Sequence, residues 1–260
     1  MQDRIFDFET GEILAFDKPL HWTSFNLVKI VRNTLSRRLG IKRLKVGHAG
    51  TLDPLASGVM IICTGRATKQ IDQLQAGTKE YIATMRLGCT TPSFDAEHTV
   101  DHTFPTSHIT RQLVLDTLAN FVGSIWQVPP VYSACKVEGR RAFDYARKGE
   151  DIELKAKELV IDEIELLDFI DDHQAETEGR KPEMTIRVVC SKGTYIRALA
   201  RDIGQALNSG AYLTALRRTR VGNISIGDCM SVADVENWAS NCRIINNQTE
   251  NIQIDETVTV

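Results

Sequence analysis

No apolar run in this 260-residue chain approaches the ~18 residues that cross a bilayer. The start, Met1-Gln2-Asp3-Arg4, has neither a basic region nor a following apolar stretch for export, so a cytoplasmic protein is expected. Six cysteines, at 63, 89, 135, 190, 229 and 242, include no CxxC pair, and none stands at ligand spacing from a histidine. That argues against a zinc site and a disulfide framework and for buried thiols in a reducing compartment; no metal is expected. The lysine of Cys190-Ser191-Lys192-Gly193-Thr194 lies outside the GxxxxGK[ST] order, so this is no P-loop. Internal repeats and low-complexity tracts are also missing.

An excess of positive charge is missing too. Lysine and arginine number 31 against 34 acidic residues, a net charge of −3 that taken alone argues against a nucleic-acid partner. The sum conceals a segregation. Lys29, Arg32, Arg37, Arg38, Lys42, Arg43 and Lys45 follow one another without an intervening acid, while Asp171, Asp172, Glu176 and Glu178 crowd elsewhere. Arg197, Arg201, Arg217, Arg218 and Arg220 form a second basic group. Either cluster suits phosphate contacts, and either alone is equally well a solvated basic face. With 42% apolar and 25% charged residues, the chain can bury the core of one large domain or two modest ones.

The most informative stretch runs Gly47-His48-Ala49-Gly50-Thr51-Leu52-Asp53-Pro54-Leu55-Ala56-Ser57-Gly58. Its three glycines and one proline predict neither helix nor ladder through the segment. Asp53 then sits on a turn at the edge of the apolar run Val59 to Cys63, able to face a cleft. The plain alternative is an Asp-Pro turn whose carboxylate bonds its own backbone.

Around this loop, Thr23 or Ser24 caps a helix to about Leu35, with Leu27, Val28, Val31 and Leu35 inward and Lys29 and Arg32 outward. Gly65 to Leu74 reads as a short helix, and Tyr81 to Leu87 as a strand with Tyr81 near its start. Thr110 caps a helix packed by Leu113, Val114, Thr117, Leu118 and Phe121. Residues 129–157 read as an arm: Pro129-Pro130 enforces extension, and Arg140, Arg141, Arg147 and Lys148 surround Ala142-Phe143 and Tyr145-Ala146. Strands are expected over Val160 to Phe169 and Met184 to Cys190, joined by an acidic turn region at 170–183. Thr194 to Leu207 carries the strongest helical pattern, with Arg197 off its apolar stripe and placed to reach a carboxylate on a neighbouring loop. A surface arginine is the alternative. Ser231 to Asp234 starts a short helix before a polar tail.

The Gly47 to Gly58 stretch resembles the catalytic loop of the TruB-type tRNA pseudouridine synthases, GHxGxLDPxAxG. The resemblance continues in order through Asp17-Lys18-Pro19, Lys79-Glu80-Tyr81, Leu87-Gly88, Val128 to Ala134, Cys190 to Arg197 and Leu216-Arg217-Arg218. It implies an α+β fold, the pseudouridine synthase fold, with a mixed, mostly antiparallel sheet, flanking helices and a catalytic cleft across the sheet. Residues 1–227 would form the catalytic domain, with 129–157 its RNA-contacting arm, and 228–260 a short helix and polar tail. Fewer than forty residues follow Val221, so the additional C-terminal RNA-binding module common in bacterial relatives is expected to be absent or vestigial.

The implied reaction breaks the glycosidic bond of a uridine in the T-loop of tRNA, at position 55, turns the base over and rejoins it through C5. Asp53 would supply the carboxylate, as nucleophile at C1′ or as base at C2′. Arg197 would hold that carboxylate bidentately, and Tyr81 would stack on the flipped uracil and relay the C5 proton. The resemblance assigns His48 to the displaced nucleotide and Lys18 to a backbone contact or the pocket floor. Leu216, Arg217 and Arg218 fall on the substrate side, as does Asp95 in the altered insert Thr91 to His98, which has lost its final glycine. No cofactor and no guide RNA are expected, and the chain should act as a monomer. A glycoside hydrolase would need a second carboxylate that nothing identifies. A tRNA-binding folding factor, with catalysis incidental or lost, is the rival.

Overall fold

The structure, a computed structural model, describes residues 4–137 and 139–245. Ten strands form one sheet: β1 (Ile13–Lys18), β2 (Val46–His48), β3 (Ala56–Thr64), β4 (Lys79–Leu87), β5 (Gly123–Gln127), β6 (Lys157–Ile170), β7 (Glu183–Cys190), β8 (Ala211–Val221), β9 (Ile224–Ser225) and β10 (Met230–Ser231). Their spatial order is β10-β1-β3-β8-β4-β7-β6-β5, with β2 beside β3 and β9 beside β8. Pairing is antiparallel except between β3 and β8 and between β1 and β10. Helices α1 (Ser24–Leu39), α2 (Ile71–Ala76), α3 (Arg111–Ala119), α4 (Ala142–Ala146), α5 (Asp172–Thr177), α6 (Ile196–Ala206) and α7 (Val235–Asn241) flank it. This is the mixed, mostly antiparallel α+β architecture expected. No helix among the described residues is long and apolar enough to cross a membrane.

Local chemistry explains the elements that frame the cleft. Thr23 caps α1 by accepting from the Asn26 amide at 3.1 Å, and Gly40, left-handed at φ 67°, ends it one turn later than the apolar pattern foretold. Leu27, Val28, Val31 and Leu35 pack on Phe16, Met60 and Ile62. Arg32, expected to point outward, instead donates to the Val46 carbonyl at 3.0 Å and ties α1 to β2. On the other half of the same sheet face, Leu199, Ala200 and Ile203 of α6 bury against Ala83, Met85 and Ile186. Each leucine, isoleucine or methionine among them contributes ~1.5–3 kcal/mol of apolar burial, which fixes where the first turn of α6 points.

Two local expectations need correction. The ladder enters the glycine-rich loop from both ends, through Gly47 and His48 in β2 and Ala56 to Gly58 in β3, leaving only residues 49–55 as loop. Gly58 belongs in a strand because no other residue fits: at φ +109°, a Cβ there would lie 2.1 Å from the Arg218 carbonyl oxygen. The acidic region 170–183 is also more than a turn, since Asp171 caps the short α5 through the Gln174 amide.

Residues 228–245 join the same core. β10 extends the sheet beyond β1, and Trp238 of α7 meets Phe6 and Phe8 edge-on at 5.4 and 5.9 Å. The expected polar tail falls mostly at 246–260, outside the described residues.

Candidate active site

The ladder register lines up Lys18, Gly58, Arg218 and Tyr81 in one row across β1, β3, β8 and β4. The loop bearing Asp53 rises from this row, and each of five successive backbone carbonyls in it has a named donor. Arg218 donates Nη2 to Gly50 at 3.2 Å and Nη1 to Thr51 at 3.3 Å. Ser24 Oγ donates to Leu52 at 3.0 Å while accepting from the Leu52 amide at 2.9 Å. The Ala56 amide takes the Asp53 carbonyl at 3.0 Å, and the His21 amide takes that of Pro54 at 2.7 Å. A loop so fully satisfied holds one conformation.

Above it, the Asp53 side chain is 42% exposed and meets Arg197, whose side chain is only 8% exposed, with Nε 3.0 Å from Oδ2. The grip is single-pronged, not bidentate as expected, because the rest of the guanidinium is committed elsewhere. Nη1 donates to the Ser93 carbonyl at 3.3 Å and lies 3.6 Å from Asp95 Oδ2, while Nη2 donates to the Tyr132 carbonyl at 3.0 Å. Asp95 is buried and takes Ser93 Oγ at 2.6 Å and the Glu97 amide at 3.0 Å. Among the described residues Arg197 is the one side chain paired with the Asp53 carboxylate, so its second oxygen is left to the cleft. A buried cation held by two carbonyls and a second carboxylate fixes the direction of the Asp53 side chain.

The cleft holds about 570 Å³, enough for a nucleoside, and is walled by Asp53, Tyr81, Arg197, Leu216, Arg218 and Lys79. A second cavity of about 340 Å³, shared by Asp53, Arg197, Asp95 and Leu216, opens on the other side of the ion pair. Another cavity, about 870 Å³, lies beside Asp17 and Arg217 and touches neither Asp53 nor Tyr81, so juxtaposition and not size marks the site.

Tyr81 is 8% exposed, and burial raises its phenol above the ordinary tyrosine range, with the neighbouring Arg218 charge opposing and Asp53 adding to the rise. Lys18, for which an exposed turn was the alternative, is fully buried and donates to the Pro19 and Trp22 carbonyls at 2.9 and 2.7 Å. Burial pushes its ammonium down to about 8 against the pull of Asp53. His48, on β2, lies outside the cleft lining; burial and then Arg218 lower its pKa, and its Nδ1 has no partner among the described residues.

Arg217 and Arg218 part company. Arg217 faces the opposite side of the sheet, where it pairs bidentately with Asp17 at 3.2 and 2.7 Å and donates to Ser57. Arg218, expected among the phosphate contacts, is 2% exposed and spent on loop carbonyls, with Val59 at 2.8 Å as its third acceptor. Three of its five N–H donors are thus committed to the loop, while the guanidinium still lines the cleft.

Sequence reasoning overlooked Ser24 and His21 as loop supports and Lys79 as a cleft wall. Lys79 donates to the Gln75 and Gly77 carbonyls, and burial pushes it down to about 8. Its signal was position, two residues before Tyr81 and on the same strand face. Among the described residues Asp95, Glu97 and His98 cluster closely enough to hold a cation, but Ser93 already bridges Asp95 and His98.

Residues 36–196 match the family model described as TruB family pseudouridylate synthase (N terminal domain), and residues 197–257 match that of the tRNA pseudouridylate synthase B C-terminal domain. This chain belongs to the TruB family. Within that family it is 63% identical over 232 residues to tRNA pseudouridine synthase B of Phocaeicola vulgatus, covering 89% of this chain and 94% of that one. The same-named protein of Bacteroides thetaiotaomicron is 59% identical over 245 residues, 94% of this chain and all of that one; the Flavobacterium johnsoniae protein is 45% identical over 227 residues, 87% of this chain and 95% of that one. A solved Cbf5-Nop10-Gar1 complex contains a chain 26% identical with a TM-score of 0.62, matching 89% of this TruB-family chain, which spans 55% of that larger one.

Proposed function

We propose that this TruB-family enzyme converts uridine to pseudouridine at position 55 in the T-loop of tRNA, with Asp53 as its catalytic carboxylate. One observation carries the reading: a half-exposed carboxylate, ion-paired to a buried arginine, stands at the mouth of a nucleoside-sized cleft floored by a tyrosine.

The target uridine must leave its stack, at a cost of a few kcal/mol that contacts elsewhere repay. The 129–157 arm supplies such contacts. Its α4 displays Arg140 at 4.1 Å over the Tyr145 ring and Arg147 at 5.1 Å over Phe143, pairing cations with apolar faces in the way RNA bases and phosphates use both. Inside the cleft the uracil lies against Tyr81 and Leu216. The free Asp53 oxygen faces the ribose and acts there either as nucleophile at C1′ or as base at C2′; Arg197 holds the carboxylate in place for either route. The N1–C1′ bond breaks with its electron pair leaving on the uracil; once the base has turned, C5 bonds to C1′, which frees Asp53 from C1′ or returns its proton to C2′, and the C5 proton passes to water while N1 takes one up. Tyr81, protonated at neutral pH, stacks and hydrogen-bonds. The enzyme acts as a monomer on tRNA itself, without guide RNA, in the cytoplasm.

Tritium release from tRNA labelled at uridine C5 tests this directly, since only substitution at C5 frees the label. Release by the wild-type chain and none by Asp53→Asn is expected. Absence of release with tRNA still bound would instead support the folding-factor reading.

A further inference from the structure

The basic run after α1 ends up far from the cleft. Ser24, at the start of α1, is bonded to Leu52 of the catalytic loop, and the sixteen residues of α1 carry the chain ~24 Å away from it. β3 measures the same separation independently: it leaves the loop at Ala56 and reaches Val46 of β2 opposite Thr64, ~26 Å on. At that distant end Arg37, Arg38, Lys42, Arg43 and Lys45 are exposed, and none is within 4.0 Å of a carboxylate among the described residues. Arg243 of the C-terminal segment is exposed beside them and has no carboxylate partner among the described residues; it stands next to Cys242, whose thiol feels the charge of Arg38.

A helix dipole accounts for Arg37 and Arg38 in the last turn of α1, but not for Lys42, Arg43 and Lys45 beyond it. Nor is this a loose tail. Gly40 closes the helix, the Leu44 amide donates to Ser36 Oγ at 2.9 Å, Leu44 is buried, and Arg32 fastens Val46. A chain of net charge −3 therefore holds six cations on a fixed surface with no carboxylate partner among the described residues.

We infer that this surface is a second RNA-binding face, contacting the phosphate backbone of the tRNA double helix beyond the T-arm while the T-loop occupies the cleft. The inference rests on the tRNA reading above and adds a partner surface to it. Fixed cations near phosphates gain by counterion release, without reading sequence, and suit an A-form duplex recognised by shape. A span of ~25 Å from the flipped base is more than the loop itself covers, so the face meets duplex backbone and not loop nucleotides.

The test compares whole tRNA with the isolated T-arm hairpin, in filter binding across a salt series, using the full chain. Wild type should bind tRNA more tightly than the hairpin. Combining Arg37→Gln, Arg38→Gln, Lys42→Gln and Arg43→Gln should remove about tenfold or more of tRNA affinity and flatten the log–log salt slope by about three, leaving the hairpin the less affected ligand. Lys42→Glu with Arg43→Glu, outside the helix and its dipole, should act in the same direction with the melting temperature held. Equal affinity of wild type for both RNAs, an unaltered salt slope, or equal loss on both would overturn the inference. Tritium release by wild type is scored separately, so failure of the catalytic reading shows there and not in the tRNA-to-hairpin ratio.

Discussion

Two buried arginines flank the cleft from opposite sides, and they do different work. On the α6 side, Arg197 meets carboxylates: Asp53 at 3.0 Å and Asp95 at 3.6 Å. On the β8 side, Arg218 meets no acid among the described residues, only the carbonyls of Gly50, Thr51 and Val59. The first orients a side chain. The second fixes the backbone from which that side chain springs. Carboxylate position and carboxylate direction are thus set by separate groups, and the uncompensated Arg218 charge radiates into its surroundings, lowering the pKa of Lys18, Lys79 and His48 behind the larger effect of burial.

The largest effect should come from the group both arginines serve. Asp53→Asn is expected to abolish tritium release while tRNA affinity stays within about tenfold, because binding rests mainly on phosphate contacts. Equal loss of both would mean that Asp53 helps hold RNA. Next, Arg197→Met should lower turnover by at least about 10²-fold, the cost of a misdirected reacting group, and cost about 3 kcal/mol of stability as buried Asp95 loses its cation. Turnover together with chemical denaturation checks it; the comparison fails if stability drops and turnover does not.

Arg218→Met should sharpen the contrast through a different observable. Removing three hydrogen bonds from a charged donor should speed amide exchange at Thr51 and Leu52 and lower turnover by about tenfold or more. Arg197→Met should leave those amides protected. If both variants loosen the loop alike, the division of labour is wrong.

The smallest effect concerns the far end of the row. The Lys18 ammonium titrates at about 8 in the folded protein and at the ordinary 10.5 once exposed, so between these values the unfolded chain binds more protons. Stability then rises with pH across that window and is lower below it. Relative to Lys18→Met, the wild-type melting temperature should climb from pH 8 to about 10.5; the titration of Tyr81, present in both proteins, cancels from the difference. A flat difference would mean that Lys18 keeps its full charge.

Amphipathic spacing located α1, α3, α6 and the Tyr81 strand without the structure, because one face of each is a continuous apolar stripe in the local sequence. Glycine and proline likewise located the Asp53 loop. The same local signals erred where a distant group decided the outcome. Arg32 sits at a solvent-facing position of α1 but finds the Val46 carbonyl. Gly58 reads as a turn residue but is strand, since the Arg218 backbone leaves no room for a Cβ.

Sequence by itself determined the main amphipathic helices and strands, the loop that carries Asp53 and the segregation of charge, all of which depend on which residues are present and on their local period; the fold class followed from the resemblance of its motifs to a family. Tertiary structure alone decided that Lys18, Gly58, Arg218 and Tyr81 form one row, that Arg217 and Arg218 face opposite sides, and that the basic run lies ~25 Å from the cleft. The reason is register. Strands distant in sequence become neighbours only through pairing, and a shift of one residue would exchange the two arginines between the buried cleft and the opposite face.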